Sequence, residues 1–116
     1  MAGQLFVDLY ECDERLLDDM EGIRAIAHEI VEEIGAQIVE ECMHKFEPIG
    51  VTYIAVITTS HFSIHTWPEY GYAAVDVFSC EETLQEKLAD SLKKAFGAKS
   101  AVVNKFKRNV ERRAYD

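Results

Sequence analysis

The segment from residue 58 to residue 80, TTSHFSIHTWPEYGYAAVDVFSC, sets Ser60, His61, Ser63, His65, Glu69, Asp76 and Cys80 among apolar neighbours. Nucleophiles, imidazoles and carboxylates on otherwise apolar strands mark a place where protonation and reactivity can be tuned. Three chemistries fit such a set in outline. A metal site would use His61 and His65, but four residues of extended chain separate them by about 13 Å, too far for one ion. His28 and Glu32 share a helix face, yet two ligands on an acidic helix read as a solvated face, so no metal is expected. A serine hydrolase would need a nucleophile elbow, and no G-x-S-x-G surrounds any serine. A cysteine nucleophile is the third case. Cys80 stands just ahead of a helical pattern, whose positive end would lower the thiol pKa. A buried structural cysteine accounts for the same residue, so on residue types alone both readings stay open.

The elements that must position these side chains can be read from periodicity. Residues 5–10 form a first strand. Asp13 caps a helix in which Leu16, Met20, Ile23, Ala27, Ile30 and Ile34 recur at steps of three and four, ended by Gly35. Residues 37–46 form a strand that stops before Pro48. Residues 51–59, VTYIAVITT, are β-branched and almost wholly apolar, which predicts a central strand buried on both faces. Strand character resumes over 61–66, WPEYG at 67–71 predicts a turn, and 72–78 form another strand. Ser79 with Glu82 makes a capping box for a second helix that turns Leu84, Leu88, Leu92 and Phe96 inward and ends at Gly97. Residues 99–106 supply a last strand.

Two similar halves of β-α-β-β type emerge. They predict an α+β fold, a two-layer sandwich of a mostly antiparallel sheet with helices on one face. Regular alternation puts Ser60 and His65 on opposite faces of that sheet, because they are five residues apart. Cooperation between them calls for a bulge, a turn or a chain reversal near Ser60.

The 116 residues fit one domain, 1–116. A formal net charge of −9 disfavours a nucleic-acid surface. The basic residues Lys105, Lys107, Arg108, Arg112 and Arg113 gather at the end of the chain and read as a solvated tail. No apolar run is long enough to span a bilayer, and residues 1–10 lack a basic stretch followed by a small-residue cleavage site. A cytoplasmic protein without a membrane partner is expected. Cys12, Cys42 and Cys80 are far apart and form no C-x-x-C, which suits reduced thiols.

One string is more specific than any of these patterns. HTWPEYGYAA at 65–74, preceded by Ser60-His61 and followed by Asp76 and Cys80, resembles the signature of the prokaryotic S-adenosylmethionine decarboxylases. These are the small pyruvoyl-dependent class of polyamine biosynthesis. The similarity extends to HKF at 44–46, Pro48, GVT at 50–52, Val56-Ile57 and YECD at 10–13, so it covers most of the chain in order.

The resemblance implies a proenzyme that cuts itself between Thr59 and Ser60 into residues 1–59 and 60–116. Ser60 would become a covalently bound pyruvoyl group, a ketone that can form a Schiff base with a substrate amine and accept the electrons released with carbon dioxide. The family pattern gives Thr52 and His65 parts in the processing, and makes Cys80 the donor that returns a proton to the substrate carbon. It sets Phe46 against the adenine ring and Glu69 on the ribose hydroxyls of S-adenosylmethionine. It further implies a homodimer whose sheets stack inside two helix layers, an αββα arrangement. The sequence departs from the pattern at Thr59, where many relatives carry Glu, and at Gln4, where they often carry His. Two other readings remain beside this one: a pyruvoyl-dependent arginine or ornithine decarboxylase on the same fold, and a non-catalytic dimeric ligand-binding domain.

Overall fold

A computed structural model of the protein describes residues 2–58, 60–79 and 85–109. Thr59, Cys80, Glu82, Leu84, Arg112 and Arg113 lie outside the described residues. Among those described, six strands form one sheet: β1 (Ala2–Tyr10), β2 (Ile38–Lys45), β3 (Val51–Ile57), β4 (Ser60–Trp67), β5 (Tyr72–Ser79) and β6 (Ser100–Arg108). Helices α1 (Glu14–Leu17), α2 (Met20–Glu33) and α3 (Gln85–Ala95) cover one of its faces, and a single 3-10 turn spans Pro68–Tyr70.

The spatial order is β2-β3-β4-β5-β1-β6, and every neighbouring pair is antiparallel. The α+β, two-layer expectation is met. The halves, however, differ in order: the helices follow one strand in the first half and two strands in the second. The cause is the tight turn at Pro68–Tyr70, closed by Gly71 at φ 62°, which folds β5 straight back onto β4 before any helix can form. β1 ends up inserted between β5 and β6.

The core follows from two periodicities meeting. Leu5, Val7 and Leu9 of β1, Tyr53, Ala55 and Ile57 of β3, Phe62 and Ile64 of β4, and Ala73, Val75 and Val77 of β5 alternate toward the helices and are buried. They meet Ile23, Ile26, Ala27, Ile30 and Val31 of α2, and Leu88, Ala89 and Leu92 of α3. Each large side chain buried this way contributes about 1.5–3 kcal/mol relative to exposure.

The stripe from Leu16 to Ile34 is not one helix but two, α1 and α2, separated at Asp18 and Asp19. Asp13 does cap α1, accepting from the Arg15 and Leu16 amides at 3.0 and 3.4 Å. Asp19 then starts α2 afresh, its carboxylate accepting from the Gly22 amide at 3.0 Å. An aspartate side chain that satisfies a free amide competes with continued helix, which a count of apolar residues does not register.

β3 is also shorter and more exposed than its apolar run predicts. It ends at Ile57, with Thr58 in the following turn, and only its helix-facing side is buried. Ile54 and Val56 are 46% and 50% exposed on the other face, because no second layer of the described residues lies there.

Candidate functional site

The helix-free face of the sheet carries most of the reactive side chains, and its registers arrange them in rows. His44 pairs with Thr52, Thr52 with His65, His65 with Ala74, and Ala74 with Asp8. Cross-strand partners share a face, so these residues form one polar row across five strands. The adjacent row toward the chain turns holds Trp67, Tyr72 and Tyr10, whose rings step across the sheet at centroid distances of 5.4 Å each. On the other side lie Ser63 and Asp76, and beyond them His61 and Phe78.

Within the polar row, Thr52 Oγ1 and His65 Nδ1 share a 3.0 Å hydrogen bond. That bond fixes the ring plane and leaves Nε2 as the imidazole nitrogen available to a substrate. Asp8 accepts a hydrogen bond from the Tyr72 hydroxyl. Burial of the Tyr72 phenol and the neighbouring Asp8 carboxylate hold its proton on well above the ordinary range. Burial also raises the Asp76 carboxyl pKa, while His65 and His61 pull it the other way. The face thus sets imidazoles against partly desolvated carboxylates, an environment suited to a cationic ligand.

Phe46 continues β2 beyond Lys45, its ring 4.5 Å from that of His44, and it is 46% exposed. A backbone bond of 2.8 Å from its amide to the Gly50 carbonyl closes the β2–β3 loop beneath it. Glu69 lies in the 3-10 turn after β4 and is exposed. It borders a cleft of about 300 Å³ together with Glu14, Arg15, Asp18, Ile49 and Pro68. Thr52, His65 and Phe46 therefore gather at one end of the sheet, with Glu69 on the turn that follows β4.

Ser60 does not join them. It opens β4, pairs with Ile57, and shares the parity of helix-facing Phe62 and Ile64. Its Oγ is buried and has no hydrogen-bond partner among the described residues. The pairing from Ile57–Ser60 to Thr52–His65 runs without a register shift. The chain does reverse at Thr58, just ahead of Ser60, but no bulge follows: unbroken ladders to β3 and β5 leave no slack for an extra residue, so Ser60 and His65 stay on opposite faces. Five residues of extended chain separate the two positions by about 16 Å.

Thr59 and Cys80, the other two positions expected at the cut and the chemistry, lie outside the described residues. His61 and His65 share the open face four positions apart, and His28 pairs with Glu41 rather than with Glu32. Gln4 is buried on β1 and donates to the Val77 carbonyl at 3.4 Å. Cys12 is a buried free thiol whose pKa burial pushes up to about 11, and Cys42 is an exposed free thiol.

Asp8 and Tyr72 were not singled out from the sequence as site residues. A signal existed: Gln4, Phe6, Asp8 and Tyr10 alternate with Leu5, Val7 and Leu9, so a carboxylate was bound to face the same way as the other polar strand positions. Its pairing with Tyr72 depends on β1 and β5 being neighbours, which no local pattern encodes.

Comparison with known proteins adds an independent line. A family model described as S-adenosylmethionine decarboxylase matches residues 3–109. The chain is 42% identical over 112 residues to the S-adenosylmethionine decarboxylase proenzyme of Prochlorococcus marinus, covering 95% of this chain and 90% of that one. It is 44% identical over 100 residues to the protein of the same description from Thermotoga maritima, covering 85% and 77%. The crystal structure of the adenosylmethionine decarboxylase from Aquifex aeolicus superposes with a TM-score of 0.85 at 27% identity, covering 97% of this chain and 93% of that one.

Proposed function

The chain belongs to the S-adenosylmethionine decarboxylase family, and on that premise we propose that it is a proenzyme, one domain over residues 1–116, that cuts itself between Thr59 and Ser60 and then decarboxylates S-adenosylmethionine. The observation that carries the reading is the state of Ser60. Its hydroxyl is buried, has no partner among the described residues, and stands at the first position after a turn, beside the bond to be cut. A buried hydroxyl left unpaired costs stability and calls for an explanation in use.

Attack of Ser60 Oγ on the Thr59 carbonyl moves the acyl group from nitrogen to oxygen. Elimination then releases residues 1–59 as a carboxylate, and hydrolysis of the dehydroalanyl end sheds ammonia. The residue at 60 is left as a pyruvoyl group, which supplies an electron sink when a substrate carboxylate departs as carbon dioxide.

The remaining residues bind and move protons. Phe46 offers an exposed aromatic face for the adenine ring. Glu69 offers an exposed carboxylate for the ribose diol. His65, oriented by Thr52, serves proton transfer during processing, and Cys80 returns the proton to the substrate carbon. The product would feed aminopropyl transfer in spermidine formation, a cytoplasmic reaction. Among the described residues, no helix is long and apolar enough to cross a membrane.

The separation of Ser60 from His65 and Phe46 supports a homodimer. Two open faces stacked with their strands antiparallel bring the Ser60 end of one protomer over the His65 end of its partner, with the helices outside in an αββα arrangement. The exposed Ile54, Val56, Trp67, Val102 and Phe106 on that face favour its burial. For the partner's His65 to serve the cleavage itself, the turn ahead of Ser60 must present the hydroxyl on the open face before the bond is cut.

Intact mass spectrometry tests the proposal directly. The parent protein yields two fragments meeting at Thr59 and Ser60, the second without a free amine, whereas Ser60→Ala stays whole. The β-branch of Thr59 crowds the carbonyl, so cleavage is expected to be slow and to quicken in Thr59→Glu. The processed protein releases labelled carbon dioxide from carboxyl-labelled S-adenosylmethionine, and not from arginine or ornithine. A parent that remains one chain after prolonged incubation refutes the self-cleavage.

A further inference from the structure

Phe46 is half exposed at a loop, where a bare aromatic would have no fixed direction. A set of contacts outside the open face restrains it. Asp18 is the C-cap residue of α1, and its carboxylate accepts the Gly50 amide at 2.8 Å. The same oxygen, Oδ1, takes Lys45 Nζ at 2.8 Å, and Lys45 Nζ also donates to the Phe46 carbonyl at 3.0 Å. Gly50 in turn accepts from the Phe46 amide. A Cβ added at Gly50 would lie 3.8 Å from the Cβ of Phe46, so the aromatic packs along the glycine itself.

The neighbouring residue of α1 repeats the attachment. The Leu17 carbonyl accepts from Thr66 Oγ1 at 2.7 Å, and Thr66 Oγ1 accepts from the Val51 amide at 2.9 Å. Thr66 lies two residues before the turn that carries Glu69, and Asp18 borders the cleft that Glu69 lines. The end of α1 thus touches both the loop below Phe46 and the strand leading to Glu69. Both hydrogen bonds lower the Asp18 pKa, with the Lys45 bond the larger influence, so the carboxylate is charged wherever the protein is folded near neutrality.

We propose that Asp18 is a positioning residue for substrate binding: by holding Gly50 and Lys45 against the end of α1, it fixes Phe46 at the spacing from Glu69 that one nucleoside requires. This rests on the reading of Phe46 and Glu69 given under the proposed function. Among the described residues the Asp18 carboxylate bonds to Gly50 and Lys45 and not to Ser60 or His65, so its loss acts on affinity and spares both the chemical step and the self-cleavage. Lys45 shares the role through the Phe46 carbonyl.

The test compares Asp18→Ala, Asp18→Asn, Phe46→Ala and the double variant Asp18→Ala/Phe46→Ala, each as self-processed protein. KM and kcat are read from carbon dioxide release, and the extent of cleavage from intact mass. Asp18→Ala should raise KM about 10-fold, with kcat within about twofold of the parent and cleavage unaltered. The rise should disappear in the Phe46→Ala background, because residues acting through one contact are not additive. Asp18→Asn keeps an acceptor for Gly50 but loses the charge facing Lys45, and should fall between; it carries the test if Asp18→Ala does not fold.

An unchanged KM in both Asp18 variants, or a KM rise that adds in full to that of Phe46→Ala, overturns the proposal while leaving Phe46 in its place. A parallel fall of kcat, cleavage and melting temperature overturns it too, as a structural role alone. If Phe46→Ala leaves KM unmoved, or the parent turns over no S-adenosylmethionine, the functional reading fails and the proposal falls with it.

Discussion

Glu41 offers a quantitative test of how the sheet is fastened to its helices. Its carboxylate on β2 accepts three hydrogen bonds: from the Tyr53 hydroxyl at 2.6 Å, Arg24 Nε at 2.7 Å and His28 Nε2 at 2.9 Å. Tyr53 is fully buried, so its hydroxyl relies on Glu41 as its acceptor among the described residues. The Tyr53 bond, aided by Arg24 and His28 against the cost of burial, holds the Glu41 carboxyl down at about 2, from an ordinary 4.5.

A lowered folded-state pKa means that this stability is complete above about pH 4.5 and drains away as pH falls toward about 2. Converted in full, the shift is about 3 kcal/mol, and solvent screening of the Arg24 and His28 contacts reduces it to about 1–2 kcal/mol. Glu41→Gln keeps the shape and loses the charge. Urea unfolding of Glu41→Gln in the Ser60→Ala background, which keeps one chain, should show a loss of about 1–2 kcal/mol at pH 7. The two unfolding free energies should converge as pH is lowered from 4.5 toward 2. A difference that persists undiminished down to the acid limit would refute the account, because the loss would then come from shape and not from charge.

Two further outcomes follow from local geometry. Gly50 sits at φ 115° with the Thr66 carbonyl 3.4 Å from where a Cβ would stand, so Gly50→Ala should cost about 1–3 kcal/mol in thermal or urea unfolding. Thr52→Val removes the hydroxyl bonded to His65 Nδ1 without changing the side chain's size. It should slow the appearance of cleaved fragments about fivefold, one hydrogen bond's worth, with melting temperature nearly unchanged.

Much of this arrangement was legible in the residues. The strands announced themselves through β-branched runs, and α2 through Ile23, Ala27 and Ile30, because burial on one side imposes a period on the chain. The HTWPEYGYAA string gave the turn at Pro68 and the neighbourhood of His65. What periodicity could not reveal was long-range. The break at Asp18 and Asp19 lies under an apolar stripe that runs through it unaltered, and the bond that Asp18 then makes to Gly50, 32 residues away, is invisible to any local pattern. The exposure of Ile54 and Val56 depends on whether another layer covers them, which is a property of the assembly and not of the strand. The placement of Ser60 opposite His65 was foreseen by counting, and the lack of a bulge shows that counting sufficed.

The threading of β1 between β5 and β6 has a consequence once the bond before Ser60 is broken. Residues 1–59 then contribute β1, β2 and β3, and the other piece contributes the remaining strands, so the two are laced together along β3–β4, β1–β5 and β1–β6. None of those ladders needs the severed peptide, so after the proposed cleavage the fold would be held as a non-covalent pair. Its unfolding, however, changes molecularity. The intact protomer has all six strands on one chain, whereas the cut one would first have to re-encounter its other half, adding a concentration-dependent step to its recovery. The proposed cleavage would thereby replace recovery within one chain by a meeting of two.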